Sequence, residues 1–376
     1  MKADIGVSRR NFMRSSLVAT GVALFPAAGR IKAKAENSKA VADFSNRLCY
    51  NENPLGPSPR ALDAMAKAAS LSHRYPDWYS SNLASRIADR YRLERENVCM
   101  GTGATQIISL VADAFLSPGD ELITADPTYF QMASEAKANG ASVVRVPLDE
   151  NDIIDLEGIS KAISPKTKLI YLVNPNNPLG TVINKGDMET FLESLPEGIV
   201  VAVDEAYHHY AHSPTYESCH RFVKEGLPVV VIRTFSKAYG LAGARIGFSL
   251  ATKELAKQIA SLQLEAMLSN ISQAAANASL DDPKHVAATV ALNDKAKRYL
   301  ESEFASMGLD FIPSETNFMM FDCGMDGRTV RSELESRGFR VRSGSAMPRY
   351  IRVSTGRMTE MRNFIATLKQ VLDTFA

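Results

Sequence analysis

Three apolar runs restrict this chain more than any other feature. "KLIYLVNP" (168–175), "IVVAVDEAY" (199–207) and "PVVVIRTF" (228–235) carry apolar side chains at successive positions instead of alternating with polar ones. A strand facing water on one side alternates, so these runs need cover on both faces, the signature of a mostly parallel sheet between helical layers. Segments of helical spacing separate them. Shorter strand-like runs, "NVCMG", "ELITAD", "SVVRVP" and "RIGFSLA", extend the series. Helices are expected at "RALDAMAKAA", "NLASRIADRY", "TQIISLVADAF", from Tyr129, near Leu156 to Ile163, from Lys185 and near Tyr216 to Val223. Beyond Lys253 the chain turns helical to Met307, and "TNFMMFDC", "RTVRSELESRG" and "YIRVSTG" then predict a smaller α/β lobe. At 376 residues and 45% hydrophobic content the chain is long enough for both lobes.

Ligands of open α/β sheets sit at the carboxyl ends of the strands. Four such ends carry unusual residues here. "NVCMG" runs into "GTGATQII", a glycine-containing turn whose helix can offer its first N–H groups to a phosphate. "NPNNPLG" ends the first of the three apolar runs, with an Asn-Pro turn as the plainer alternative. Asp204 ends a strand too apolar to hold a carboxylate without a partner: either it caps a helix or it serves a buried cation. Lys237 follows Ser236 at the end of "PVVVIRTF", where an inward amine costs desolvation unless it is used, for example as an imine. A lysine for an imine, an acid for a pyridine nitrogen and donors for a phosphate together describe a pyridoxal 5'-phosphate site.

The first 35 residues read differently. "SRRNFMR" precedes an uncharged run, "SSLVATGVALFPAAG", and then "AKA", the order of basic, apolar and small-residue segments in an export signal. Paired Arg9 and Arg10 followed by Phe12 resemble a twin-arginine leader, which implies the twin-arginine export machinery and a periplasmic protein, with a cytoplasmic one as the alternative. Of the 43 Lys and Arg residues, seven fall in this segment, against one of the 42 Asp and Glu, so the remainder carries a net charge of −5. A mildly acidic body without a basic tract argues against nucleic acid, and no stable membrane association is expected of it. Cys49, Cys99, Cys219 and Cys323 lie far apart, and His208, His209 and His212 lack accompanying ligands, so the histidines read as surface or pocket-rim residues and no metal site is expected.

"NENPLGPSP", "YPD", "NPNNPLG", "VDEAY", "TFSKAYGLAGARIG" and "YIRVSTG" resemble the histidinol-phosphate aminotransferase branch of the class II, fold-type I aminotransferases, from about Asn46 to the end. The resemblance implies a large domain with a mixed seven-stranded sheet, a small domain built from both termini, and a homodimer with active sites at its interface. Residues 36–60 would be an arm joining the small domain, 61–255 the large cofactor domain and 256–376 the small domain. By the same resemblance Lys237 is the Schiff-base lysine and proton shuttle, Asp204 meets the pyridine nitrogen, and Tyr207 and Asn177 bond the ring oxygen. Tyr129 stacks on the ring. Ser236, Arg245 and the backbone of Ala104 and Thr105 hold the phosphate, with Tyr75 reaching the partner subunit's phosphate. Arg352 takes the substrate carboxylate, Asn53 lines the substrate site, and Arg342 matches an arginine that meets the phosphate of histidinol phosphate.

Two departures bear on substrate. Leu179 stands where the family usually has Thr, and Thr105 where an acid is common. An exported enzyme meets free amino acids and 2-oxo acids, whereas histidinol phosphate is a cytoplasmic intermediate. The expectation is therefore an aminotransferase acting between an L-amino acid of aromatic or imidazole type and a 2-oxo acid, with histidinol-phosphate aminotransferase proper as the alternative. A decarboxylase of the same fold and a non-catalytic binding domain are the further readings. Lys237, Asp204 and Arg352 are all present, which counts against the last.

Overall fold

The computed structural model describes residues 46–344 and 346–375. The leader expected over 1–35, and residues 36–45 of the expected arm, lie outside them.

The apolar runs form the middle of a seven-stranded sheet. Its strands are β1 (Val98–Gly101), β2 (Glu121–Asp126), β3 (Ser142–Pro147), β4 (Thr167–Val173), β5 (Val200–Asp204), β6 (Val229–Thr234) and β7 (Gly247–Leu250). The order is β1-β7-β6-β5-β4-β2-β3. Pairing is parallel from β6 through β3, while β7 runs antiparallel to both β6 and β1. Every residue of β5 and β6 is buried. The two-residue period of a strand divides them between two cores. Ile170, Leu172, Val201, Val203, Val229 and Val231 enter one, and Leu169, Tyr171, Val173, Val200, Ala202, Val230 and Ile232 the other. Full burial of each aliphatic side chain stabilises by roughly 1.5–3 kcal/mol, so the central strands are the anchor against which their carboxyl ends are held.

A second, antiparallel sheet has the order β10-β11-β9-β8, formed by β8 (Phe311–Ile312), β9 (Phe318–Asp322), β10 (Arg342–Ser343) and β11 (Tyr350–Ser354). Helices Pro283–Ser306, Gly327–Ser336 and Met358–Asp373 cover it, and their core takes in Leu48. The first described residues are tied to this sheet: Ser354 N–H donates to Leu48 O at 2.9 Å and Arg340 N–H to Asn46 O at 3.1 Å. Leu268, Ala275 and Ala276, downstream of the boundary expected at 255, lie in the core of the large sheet.

Two helices start later than their spacing predicts. The one expected from Tyr129 begins at Gln131, leaving Tyr129 in the turn after β2. The one expected near Tyr216 spans His220–Lys224, because Glu205 holds the preceding turn by accepting Cys219 N–H at 2.6 Å and Ser218 Oγ–H at 2.8 Å. Among the described residues no helix is long and apolar enough to cross a membrane. All four cysteines are buried and free. His208 and His209 are half-buried with ring centroids 3.7 Å apart, and His209 packs edge-on to Tyr239, while His212 is exposed beside Asp294.

Candidate active site

The strand ends converge on a cavity of about 630 Å³. Ala104, Thr105, Tyr129, Asn177, Asp204, Tyr207, Ser236, Lys237, Arg245, Arg342 and Arg352 all line it. Residues spread over more than half of the chain are thus brought together.

One end suits an anion. Helix Ala104–Phe115 starts there with Gly103 as its N-cap, and no side chain caps it. Its first N–H groups and the positive end of its dipole face whatever fills the site. Arg245 lies across this terminus, with Nη2 3.5 Å from Thr105 Oγ1 and Nη1 3.5 Å from Ser236 Oγ. Gly103 has φ +82°, and a Cβ there would run into the Arg245 guanidinium. Only glycine allows the arginine to sit so close.

Asp204, 4% exposed, lines the same cavity. Its Oδ2 accepts from Tyr171 Oη at 2.9 Å, and its Oδ1 from Ala206 N–H at 3.0 Å. Burial raises the carboxyl to about 6 despite both hydrogen bonds and the attraction of Lys237. A buried acid held this way is set to pair with a cation placed beside it.

Lys237 lines the same cavity and feels the charges of both Asp204 and Arg245. Its Nζ donates to Tyr50 O at 3.0 Å and sits 5.7 Å from the Tyr207 ring centroid. Burial, then the nearby Arg352 charge, push it down to about 8. The amine is therefore within reach of its neutral, nucleophilic form near neutral pH.

Two arginines form the remaining wall. Arg352 on β11 pairs across the ladder with Arg342 on β10. Arg352 donates from Nη1 to Asn177 Oδ1 and from Nη2 to Cys49 O at 2.9 Å, and its Nε is buried without a partner among the described residues. Arg342 is exposed, donates to Cys49 O at 3.3 Å and lies 5.0 Å from the Tyr50 ring centroid.

Two expected site residues lie elsewhere. Asn53 does not line the cavity: its Nδ2 donates to Ala238 O and Thr289 Oγ1, both at 3.0 Å, and its Oδ1 accepts from Leu55 N–H. The turn at Asn53 uses its side chain, so Asn51 and Glu52 take the cavity wall instead. Tyr75 is 86% exposed and outside the cavity of its own chain.

Two residues were missed. Tyr171 is a strand residue whose register partner is Ala202, two residues before Asp204. Counting by two along β4 would have put it on the Asp204 side of the sheet. Asn51 donates from Nδ2 to Tyr207 Oη at 2.9 Å, and nothing in its local pattern announces that contact, made across 156 positions.

An uncapped helix start crossed by an arginine, a lysine amine and a buried carboxylate, all lining one cavity, fit pyridoxal phosphate. Fold and site together define a pyridoxal-phosphate enzyme of fold type I. Residues 46–368 match the family "Aminotransferase class I and II", and the chain belongs to it. The chain is 38% identical over 328 residues to the histidinol-phosphate aminotransferase of Akkermansia muciniphila, covering 87% of this chain and 90% of that one. It is 35% identical over 329 residues to the enzyme of that name from Moorella thermoacetica, covering 87% and 85%. Among solved structures, histidinol-phosphate aminotransferase from Sinorhizobium meliloti in complex with pyridoxal-5'-phosphate superposes with a TM-score of 0.83 at 29% identity, covering 88% of this chain and 92% of that one. The protein is a pyridoxal-phosphate-dependent aminotransferase.

Proposed function

We propose that the enzyme moves the amino group of an L-amino acid with an aromatic or imidazole side chain to a 2-oxo acid. One observation carries this substrate reading: of the two arginines paired on β10 and β11, Arg342 is exposed and Arg352 is the enclosed one, while Met320, Met347, Tyr350 and Phe130 supply an apolar wall. One enclosed guanidinium suits one carboxylate, and the apolar wall suits a flat, largely neutral side chain.

Bound pyridoxal phosphate supplies the carbonyl that takes up the amino group and a ring that withdraws electrons from the reacting carbon. The protein's residues do the rest. Arg352 fixes the carboxylate and so orients the α-carbon. Lys237 Nζ takes the proton from that carbon and returns it elsewhere, as an amine with a pKa of about 8 can do. Asp204 holds positive charge at the ring nitrogen, and the start of helix Ala104–Phe115 with Ser236 and Arg245 holds the phosphate.

A second reading, histidinol phosphate as donor, is favoured by Arg342 standing directly across from Arg352 and by the names of the relatives. Half-reactions separate the two. Free aromatic amino acids or histidine, mixed with the loaded enzyme, convert the cofactor's visible absorbance to that of its amine form. Conversion by histidinol phosphate alone would overturn the first reading.

Export and dimerisation belong to the same proposal. The Arg9-Arg10 segment supports passage to the periplasm by the twin-arginine route. Exposed Tyr75, Trp78, Tyr79 and Leu264 support pairing with a second copy, with Tyr75 reaching the other site. A monomer in sedimentation that retains full activity would remove the shared-site reading.

A further inference from the structure

We propose that Asn51 is a positioning residue that sets the direction of the Tyr207 hydroxyl proton, so that Tyr207 donates into the cavity toward the cofactor. The inference rests on the cofactor-binding role of Tyr207.

The case begins with the backbone. Asn51 has φ +55°, a conformation asparagine tolerates better than most residues, and is 2% exposed. Its position is fixed from the far end of the chain. Asn51 N–H donates to Ser354 Oγ at 2.9 Å, Ser354 Oγ–H returns to Asn51 Oδ1 at 3.1 Å, and Asn317 Nδ2 donates to Asn51 O at 3.0 Å. With Oδ1 engaged, Nδ2 points to Tyr207 Oη at 2.9 Å. A flipped amide would leave the Ser354 oxygen facing two donors with its own proton unplaced.

An amide nitrogen can only donate. Asn177 Nδ2 also approaches Tyr207 Oη, at 3.4 Å. The phenol oxygen thus receives two donors, and its single proton has no acceptor among the described residues. Tyr207 lines the cavity and is otherwise buried, packed edge-on to Phe318 with centroids 5.3 Å apart. The free proton is therefore available to an acceptor in the cavity, such as the cofactor's ring oxygen. The serine, the asparagine and the tyrosine form a directional chain from β11 to the site.

The test measures equilibrium binding of pyridoxal phosphate to the cofactor-free protein, with thermal unfolding as a fold control. Asn51→Gly suits the backbone and deletes the donor. Asn51→Asp puts an acceptor in its place and draws the Tyr207 proton away from the cavity. Asp at position 51 should bind the cofactor about tenfold more weakly than Gly, the scale of one misdirected hydrogen bond. That gap should vanish in a Tyr207→Phe background, where there is no hydroxyl to turn. A gap that persists with Phe reports the added charge alone and overturns the proposal, as does Asp binding no worse than Gly. If the Asp variant does not fold, the Gly variant carries the test: it should weaken binding beside Tyr207 and not beside Phe, and equal losses would overturn the proposal. If Tyr207→Phe itself binds like wild type, the Tyr207 role fails and the proposal with it. A normal loss for Phe beside wild-type binding of both Asn51 variants sinks the Asn51 role alone.

Discussion

Tyr171 and Asp204 sit on neighbouring parallel strands, and the tyrosine hydroxyl donates to the carboxylate at 2.9 Å where both are buried. The bond stabilises the ionised acid in a place where burial opposes ionisation. Tyr171→Phe should therefore raise the Asp204 pKa and weaken catalysis by about 1–3 kcal/mol of transition-state energy, the worth of a buried hydrogen bond to a charged group. Steady-state rates over a pH series check it. The acid limb should move to higher pH, and an unmoved limb would mean that the hydroxyl only fills space.

Asp204 also links site and stability. Its carboxyl is raised from 3.8 to about 6, so the folded chain holds this proton more tightly than the unfolded chain does. Its contribution to stability is then largest below pH 3.8 and is lost as pH rises through about 6. Cofactor-free Asp204→Asn should be more stable than wild type at pH 7, by about 2–3 kcal/mol, and the difference should shrink toward pH 4. Denaturant midpoints at the two pH values measure it. The loaded variant should turn over far more slowly, since an amide cannot balance the ring's charge.

Lys237→Ala should keep the fold and lower turnover by roughly 10⁴-fold or more, because both the covalent attachment and the proton carrier are gone. Single-turnover absorbance with an amino-acid donor reads this directly. Normal turnover would overthrow the role of the amine.

Arg342→Ala separates the two donors. With a free aromatic amino acid the effect should be small, since Arg342 is exposed at the mouth. With a phosphorylated donor a loss of about 2–5 kcal/mol is expected if this arginine pairs with the phosphate. A strong preference for histidinol phosphate that collapses in the variant would decide for the second substrate reading.

Replacing Arg9 and Arg10 by lysines should leave the protein uncut in the cytoplasm. Fractionation with N-terminal sequencing reads the outcome, and a periplasmic mature form would point to another route.

The sheet was legible because β4, β5 and β6 each hold an unbroken apolar run, Leu169 to Val173, Val200 to Val203 and Val229 to Ile232, and that pattern has few other uses. The residues after those strands were legible because Asp204 and Lys237 look out of place there. Asn53 misled because Asn51 and Asn53 flank the same short stretch, and only the three-dimensional course of the turn decides which one faces inward. The partnership of Asn51 with Ser354 spans 303 positions, and no local pattern encodes a contact of that reach. Tyr171 could have been found from the strand period, but its hydroxyl matters only once the register to β5 is known.

Gly240 has φ +70°, and a Cβ there would strike the carbonyl of Gly56, so the opening segment is pressed against the loop that carries Lys237. That segment also supplies the carbonyls of Cys49 and Tyr50 to Arg352 and Lys237. A ribosome must therefore release the 303 positions that separate Cys49 from Arg352 before the two can meet, so this wall of the pocket closes after the large sheet has been made. A product truncated before β11 keeps Asp204, Lys237 and Arg245 but lacks the arginine, the serine and the strand that hold the first turn in place.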